Sequence, residues 1–123
     1  MKLFIDYMPP NWNEYINAER KNKYMANNIK QKEKQIIKLL AKKIYKGKYP
    51  IEIIVRPHYN AYRQDLDNCR YKGLLDGLVI AGVIKNDNLK HIQKITLEPI
   101  FDDKVGIEIE IKELEQWHKE KEF

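Results

Sequence analysis

Serine is missing from this 123-residue sequence, threonine occurs once (Thr96), and so does cysteine (Cys69). A serine hydrolase is thereby excluded, and so is a standard phosphate-binding P-loop, which needs a hydroxyl beside its lysine. A lone cysteine forms no internal disulfide and fits a reducing cytoplasm. With no matched histidine and asparagine nearby, Cys69 reads as a buried, inert thiol. His58, His91 and His118 lack metal-ligand spacing, so a zinc centre has no donors of its usual kind. Long apolar runs are missing too, and nothing approaches the roughly 18 residues of a membrane span. The opening residues 1–6 are too short, and turn acidic too early, for a signal peptide. No internal repeat or low-complexity linker interrupts the chain.

What is present is charge, unevenly placed. The net charge is +5, yet residues 20–48 hold eleven basic residues and one acid, Glu33, a local net of +10. A field of that sign attracts polyanions and makes their binding steeply salt-dependent. A solvated helix face of a lysine-rich chain accounts for the same run equally well.

The length predicts one domain, residues 1–123, able to bury about two thirds of its unfolded surface. Residues 3–7 read as a strand stopped by Pro9-Pro10, and Asn11 with Glu14 three residues on predicts a helical turn through Tyr15 and Ile16. Met25, Ile29, Ile36, Ile37, Leu40 and Ile44 recur at helical spacing, which predicts a helix over 23–45. Pro50 opens a strand through Ile51, Ile53 and Val55, closed by Pro57. A loop at 58–62 follows, where Tyr59 and Tyr62 either stack on nucleotides or pack beneath the loop. Residues 92–101 and 105–112 form the expected hairpin, with Glu108 and Glu110 turned to solvent. Residues 113–123 read as a short helix docking through Leu114 and Trp117. The class is α/β: a four-stranded mixed or mostly antiparallel sheet with two principal helices.

Residues 63–87 invert the local charge. Asp65 and Asp67 are two apart and share a side in extended backbone. If a helix starts there, Asn68, Lys72 and Asp76 follow at steps of four on one face, with Leu74, Leu75 and Leu78 on the other. Gly82 ends that helix, and Asp87 meets Asp65 and Asp67 only if residues 83–86 fold back along it. Three carboxylates brought together need a cation, and all-oxygen ligands suit Mg²⁺, with Mn²⁺ as the alternative. Such an ion polarises a phosphodiester and acidifies water, while Lys72 is placed to hold the phosphate. A plainer reading fits the same residues: an aspartate as helix N-cap, Lys72 and Asp76 as an exposed pair, and residues 86–88 as a polar turn.

The run Asp65-Leu66-Asp67-Asn68, then Lys72, Leu75-Asp76-Gly77-Leu78, Ala81-Gly82-Val83-Ile84 and Asn86-Asp87, resembles the signature of RusA-type Holliday junction resolvases, small Mg²⁺-dependent endonucleases frequent in prophages. The resemblance implies a metal site of Asp65, Asp67 and Asp87, a functional lysine at Lys72, supporting roles for Asn68 and Asp76, and a homodimer. It also places residues 9–15, with Asn13 and Tyr15, near DNA, to which Arg63, Arg20, Lys21 and Lys23 add positive charge. One extra residue separates Asn68 from Lys72 relative to the family pattern, and Asn86 stands where the first of two paired aspartates is usual. The expected activity is paired incision of four-way junctions and related branched DNA in recombination and repair, inside a bacterial cytoplasm and with a prophage origin. A non-catalytic basic nucleic-acid-binding module and a Mg²⁺ nuclease acting on flaps or forks are the alternatives.

Overall fold

The computed structural model describes residues 1–40, 44–62, 65–66 and 69–114. In chain order these form β1 (Lys2–Ile5), α1 (Trp12–Lys21), α2 (Lys23–Leu40), β2 (Ile51–Tyr59), α3 (Lys72–Ile80), β3 (Ile92–Leu97), β4 (Ile100–Phe101) and β5 (Ile107–Glu113). The strands make a mixed sheet in the order β1-β5-β2-β3, with the two-residue β4 also pairing β2. The α/β class is as expected, with one more short strand and one more helix.

The expected hairpin of residues 92–101 and 105–112 does not form. β5 runs antiparallel to both β1 and β2, whereas β3 lies parallel to β2 on the opposite side. The reason lies in β2, where Ile51, Ile53, Ile54 and Val55 are all buried. A strand apolar on both faces belongs in the middle of a sheet, so β2 takes the centre and separates β3 from β5. The parallel β2 and β3 then require a crossover, which α3 supplies. β2 also runs past Pro57 to Tyr59, so His58 is a buried strand residue rather than part of a loop; its Nδ1 lies 2.8 Å from Asp102 Oδ1.

The core fills the space between sheet and helices, with Leu3, Ile5, Ile53, Ile107, Ile109 and Ile111 facing Ile37, Leu74 and Leu78. α2 and α3 approach closely because Gly77 has no side chain: a Cβ there would lie 2.6 Å from the Cβ of Ile37. On the opposite sheet face Arg56 binds Glu98 at 2.9 Å and Glu108 and Glu110 at 2.7 Å each. Glu108 and Glu110 thus turn away from the core as expected, but onto a neighbouring strand's arginine. α1 is a full helix rather than one turn, with Asn11 Oδ1 accepting the Glu14 backbone N–H at 2.9 Å as its cap. Residues 115–123, including Trp117, lie outside the described residues. Among the described residues no helix is long and apolar enough to cross a membrane.

Candidate active site

The acid loop leaves the C-terminal end of β2, the usual place for a ligand site where parallel strands are joined by a helix. Its two halves behave differently. Tyr62 is 85% exposed and leans at 45° against half-exposed Phe101, ring centroids 4.7 Å apart. Asp65 is exposed, and a single turn at Leu66 closes with the Cys69 N–H donating to the Leu66 carbonyl at 3.2 Å. From Cys69 onward the chain is pinned. The Cys69 thiol is buried and pairs with the Tyr59 hydroxyl; burial pushes the thiol pKa up to about 11 and the phenol to about 12. Cys69 is therefore the inert thiol expected, and Tyr59 packs beneath the loop.

Arg70 follows as a second anchor. Its guanidinium stacks 3.9 Å from the ring centroid of Tyr15, donates to the Pro10 carbonyl at 3.2 Å and to Glu33 Oε1 at 2.7 Å. Glu33 is wholly buried, and burial raises its pKa against the pull of Arg70. This pair ties α1 and α2 to the loop, and the sequence reading missed it. A signal existed: Glu33 is the one acid of the basic stretch and sits four residues from Ile29 and Ile37, inside the apolar stripe. Tyr15, expected at the DNA surface, is only 6% exposed; from a cap at Asn11, Tyr15 and Ala18 fall on the inward side of α1. Asn13, Arg20, Lys21 and Lys23 are exposed, as their expected role requires.

The helix begins at Lys72, with Tyr71 as its N-cap residue, so it is shorter than the one expected from residue 68 onward, and an aspartate does not take the cap position. Lys72 Nζ bridges Asp76 Oδ1 at 3.1 Å and Asp87 Oδ2 at 3.6 Å. The chain does fold back to achieve this: Gly82 turns at φ +77° and Val83 and Ile84 bury their side chains in the core. Asn86 Oδ1 then accepts the backbone N–H groups of Asp87, at 2.7 Å, and Asn88, at 3.2 Å. The residue that departs from the family pattern thus orients Asp87 as a turn former. Asp76, and after it Asp87, raise the Lys72 pKa, so this side chain is a fixed cation rather than a base.

Arg63, Asp67 and Asn68 lie outside the described residues. Among the described residues no cluster of three or more His, Cys, Asp or Glu side chains could hold a metal. Asp65 and Asp87 nevertheless present exposed carboxylates, and Asp87 already attracts an ammonium. That all-oxygen, anionic donor set fits a hard divalent cation.

A search of curated proteins finds no significant match. The model of the family described as endodeoxyribonuclease RusA, however, matches residues 7–112, from the stretch before α1 to the last strand and across the whole acid loop. An exposed Asp65 ahead of α3, Asp87 folded back to within 3.6 Å of Lys72 in its first turn, and a match over most of the chain lead to one conclusion: the protein belongs to the RusA family of Holliday-junction-resolving endodeoxyribonucleases.

Proposed function

We propose that the protein is a Mg²⁺-dependent, structure-selective endodeoxyribonuclease that nicks paired strands of four-way junctions in DNA recombination and repair. The observation that carries this reading is Lys72 held between Asp76 and Asp87 at the first turn of α3, beside the acid loop. Asp65, Asp67 and Asp87 would hold the ion, with Mn²⁺ able to replace Mg²⁺. When bound there, the ion supplies polarisation of the phosphodiester and a water acidic enough to attack near neutral pH. Lys72 contacts the phosphate and stabilises the charge that develops on it. Asp76 keeps the ammonium oriented, and Asn68 orients a ligand or water. Arg63, Arg20, Lys21, Lys23 and Asn13 hold the flanking backbone, and exposed Tyr62 offers a ring face to a base.

A homodimer suits the substrate, because a four-way junction is roughly two-fold symmetric and two matched incisions need two sites. Labelled four-way junction, flap and linear duplex, each with and without Mg²⁺, test the assignment. Cleavage of the junction only with Mg²⁺, lost in Asp67→Asn with binding kept, is the expected result. Unchanged cleavage by Asp67→Asn overturns the metal assignment. Binding without any product overturns the catalytic reading, and product from flaps alone overturns the junction preference.

A further inference from the structure

Beside α3, on the flank away from Asp87, a cleft of about 290 Å³ lies between α1, α2 and the first turn of α3. Its walls carry four cations, Lys30, Lys34, Arg70 and Lys72, and one carboxylate, Asp76. That carboxylate is already engaged by Lys72 at 3.1 Å. Among the described residues neither Lys30 nor Lys34 has a carboxylate within ion-pair distance. Lys30 instead holds its ammonium over the Tyr15 ring, 5.5 Å from the centroid, and the nearby Tyr15 hydroxyl raises its pKa. Lys30 and Lys34 stand one helical turn apart and so project from the same side of α2.

The cleft is built rather than incidental. Tyr15, almost wholly buried, forms the floor, and Arg70, 3% exposed, is fixed in the wall by Glu33 and the Pro10 carbonyl. Glu33 sits behind that wall, fully buried and paired with Arg70 at 2.7 Å, so those two charges offset each other and the net positive charge at the mouth is carried by Lys30 and Lys34. Lys72 belongs to two walls at once, lining this cleft and a neighbouring one of about 390 Å³ that contains Asp87. An extended chain of phosphates crossing the acids therefore passes Lys72 and meets a second concentration of positive charge immediately beyond it.

We propose that this cleft is a second backbone-phosphate subsite, in which Lys30 and Lys34 grip a phosphodiester of the bound DNA strand next to the one held at Lys72. The inference rests on the DNA-cleaving reading above and adds to it where the strand runs after leaving the acids. It assigns Lys30 and Lys34 a task distinct from that of Arg20, Lys21 and Lys23, which do not line the cleft.

Junction binding measured by fluorescence anisotropy in EDTA tests this without depending on cleavage. Each neutralised phosphate contributes a slope of about 0.9 to the fall of log K with log salt. The Lys30→Gln/Lys34→Gln variant, which loses the one phosphate gripped there, should lose about 0.9 of that slope. Between about 50 mM and about 200 mM salt the native protein should then weaken about 3.5-fold more than the variant. Lys30→Arg/Lys34→Arg should restore the native slope, and Lys104→Gln/Lys112→Gln, of equal charge change but on exposed positions outside the cleft, should change it less. An unaltered slope in the first variant, or an equal loss in the Lys104/Lys112 control, overturns the subsite. If the native protein binds with the expected slopes yet cuts nothing with any divalent ion, the catalytic reading fails and the subsite stands.

Discussion

Replacing Glu33 with alanine isolates the buried anchor of the acid loop. The substitution leaves Arg70, 3% exposed, with its carboxylate partner removed from 2.7 Å. Breaking a buried pair from one side costs about 3–5 kcal/mol, because a charge is stranded away from water. Unfolding entropy is about 2.1 cal/mol/K per residue, hence about 0.26 kcal/mol/K for 123 residues, and the fall in Tm comes to about 12–19 °C. Calorimetry at neutral pH measures it. The double variant Glu33→Leu/Arg70→Met removes both charges and should recover most of the loss relative to Glu33→Leu alone. Glu33→Gln adds a pH arm. Burial raises the Glu33 pKa above its ordinary 4.5, so the folded chain binds more protons than the unfolded one. The Glu33 contribution to stability is then fullest below pH 4.5 and declines as pH rises through the folded-state value. The stability difference, native minus Glu33→Gln, should shrink with rising pH. A double variant less stable than Glu33→Leu, or a difference that grows with pH, would refute the reasoning.

Arg56→Ala should cost about 2–3 kcal/mol in urea unfolding at pH near 7, since Glu110 and Glu108 are mostly buried and lose a charged hydrogen bond each. Arg56 lowers the Glu110 pKa, so its stabilisation is present above 4.5 and lost as pH falls through the depressed value; the deficit of the variant should fade in acid. Gly77→Ala gains about 1 kcal/mol of helix propensity, but its Cβ would lie 2.6 Å from the branched Ile37 Cβ, and overpacking of about 1–3 kcal/mol should leave it less stable by thermal unfolding. Asp87→Asn should change metal-free stability by less than about 0.5 kcal/mol, as its partner Lys72 is exposed and keeps Asp76. Millimolar Mg²⁺ should raise the Tm of the native protein and not that of the variant, an equal rise in both being the contrary result.

The residues whose periodicity repeats were legible in the sequence. The alternation of β5 at Ile107, Ile109 and Ile111 gave the strand directly, because local burial follows local period, whereas the spacing in α2 gave the helix but only part of its inward face: Ile37 is buried, Met25 is exposed, and Ile44, also exposed, lies outside the helix. Strand order was not legible, since nothing in residues 92–112 states that β2 will stand between the two strands they form. The start of α3 was misplaced for a related reason: Asp65, Asn68, Lys72 and Asp76 have helical spacing, but the buried contacts of Cys69 and Arg70 hold the chain out of helix until Lys72. Acids and lysines advertised themselves by type. Glu33 was marked only by its position among Ile29 and Ile37, since by type a glutamate in a lysine-rich helix looks like surface until Arg70 is known to lie beneath it.

The two anchors explain what holds the chain at residues 69–71, just before Lys72. Asp65 and Asp87 gain little from water-exposed pairing, because salt bridges such as that of Lys72 to Asp87 at 3.6 Å contribute on the order of 1 kcal/mol or less. The chain at residues 69–71 is instead fixed from behind: Cys69 on Tyr59, and Arg70 between Tyr15 and Glu33. Energetics of position and chemistry are thereby carried by different residues. The acids are free to repel, to exchange Lys72 for a cation, or to be neutralised without unfolding the loop. The anchors, in turn, pass the placement of α1 and α2, with their lysines, directly to the carboxylates. A register error of one residue between Glu33 and Arg70 would displace the basic helices and the acids relative to each other.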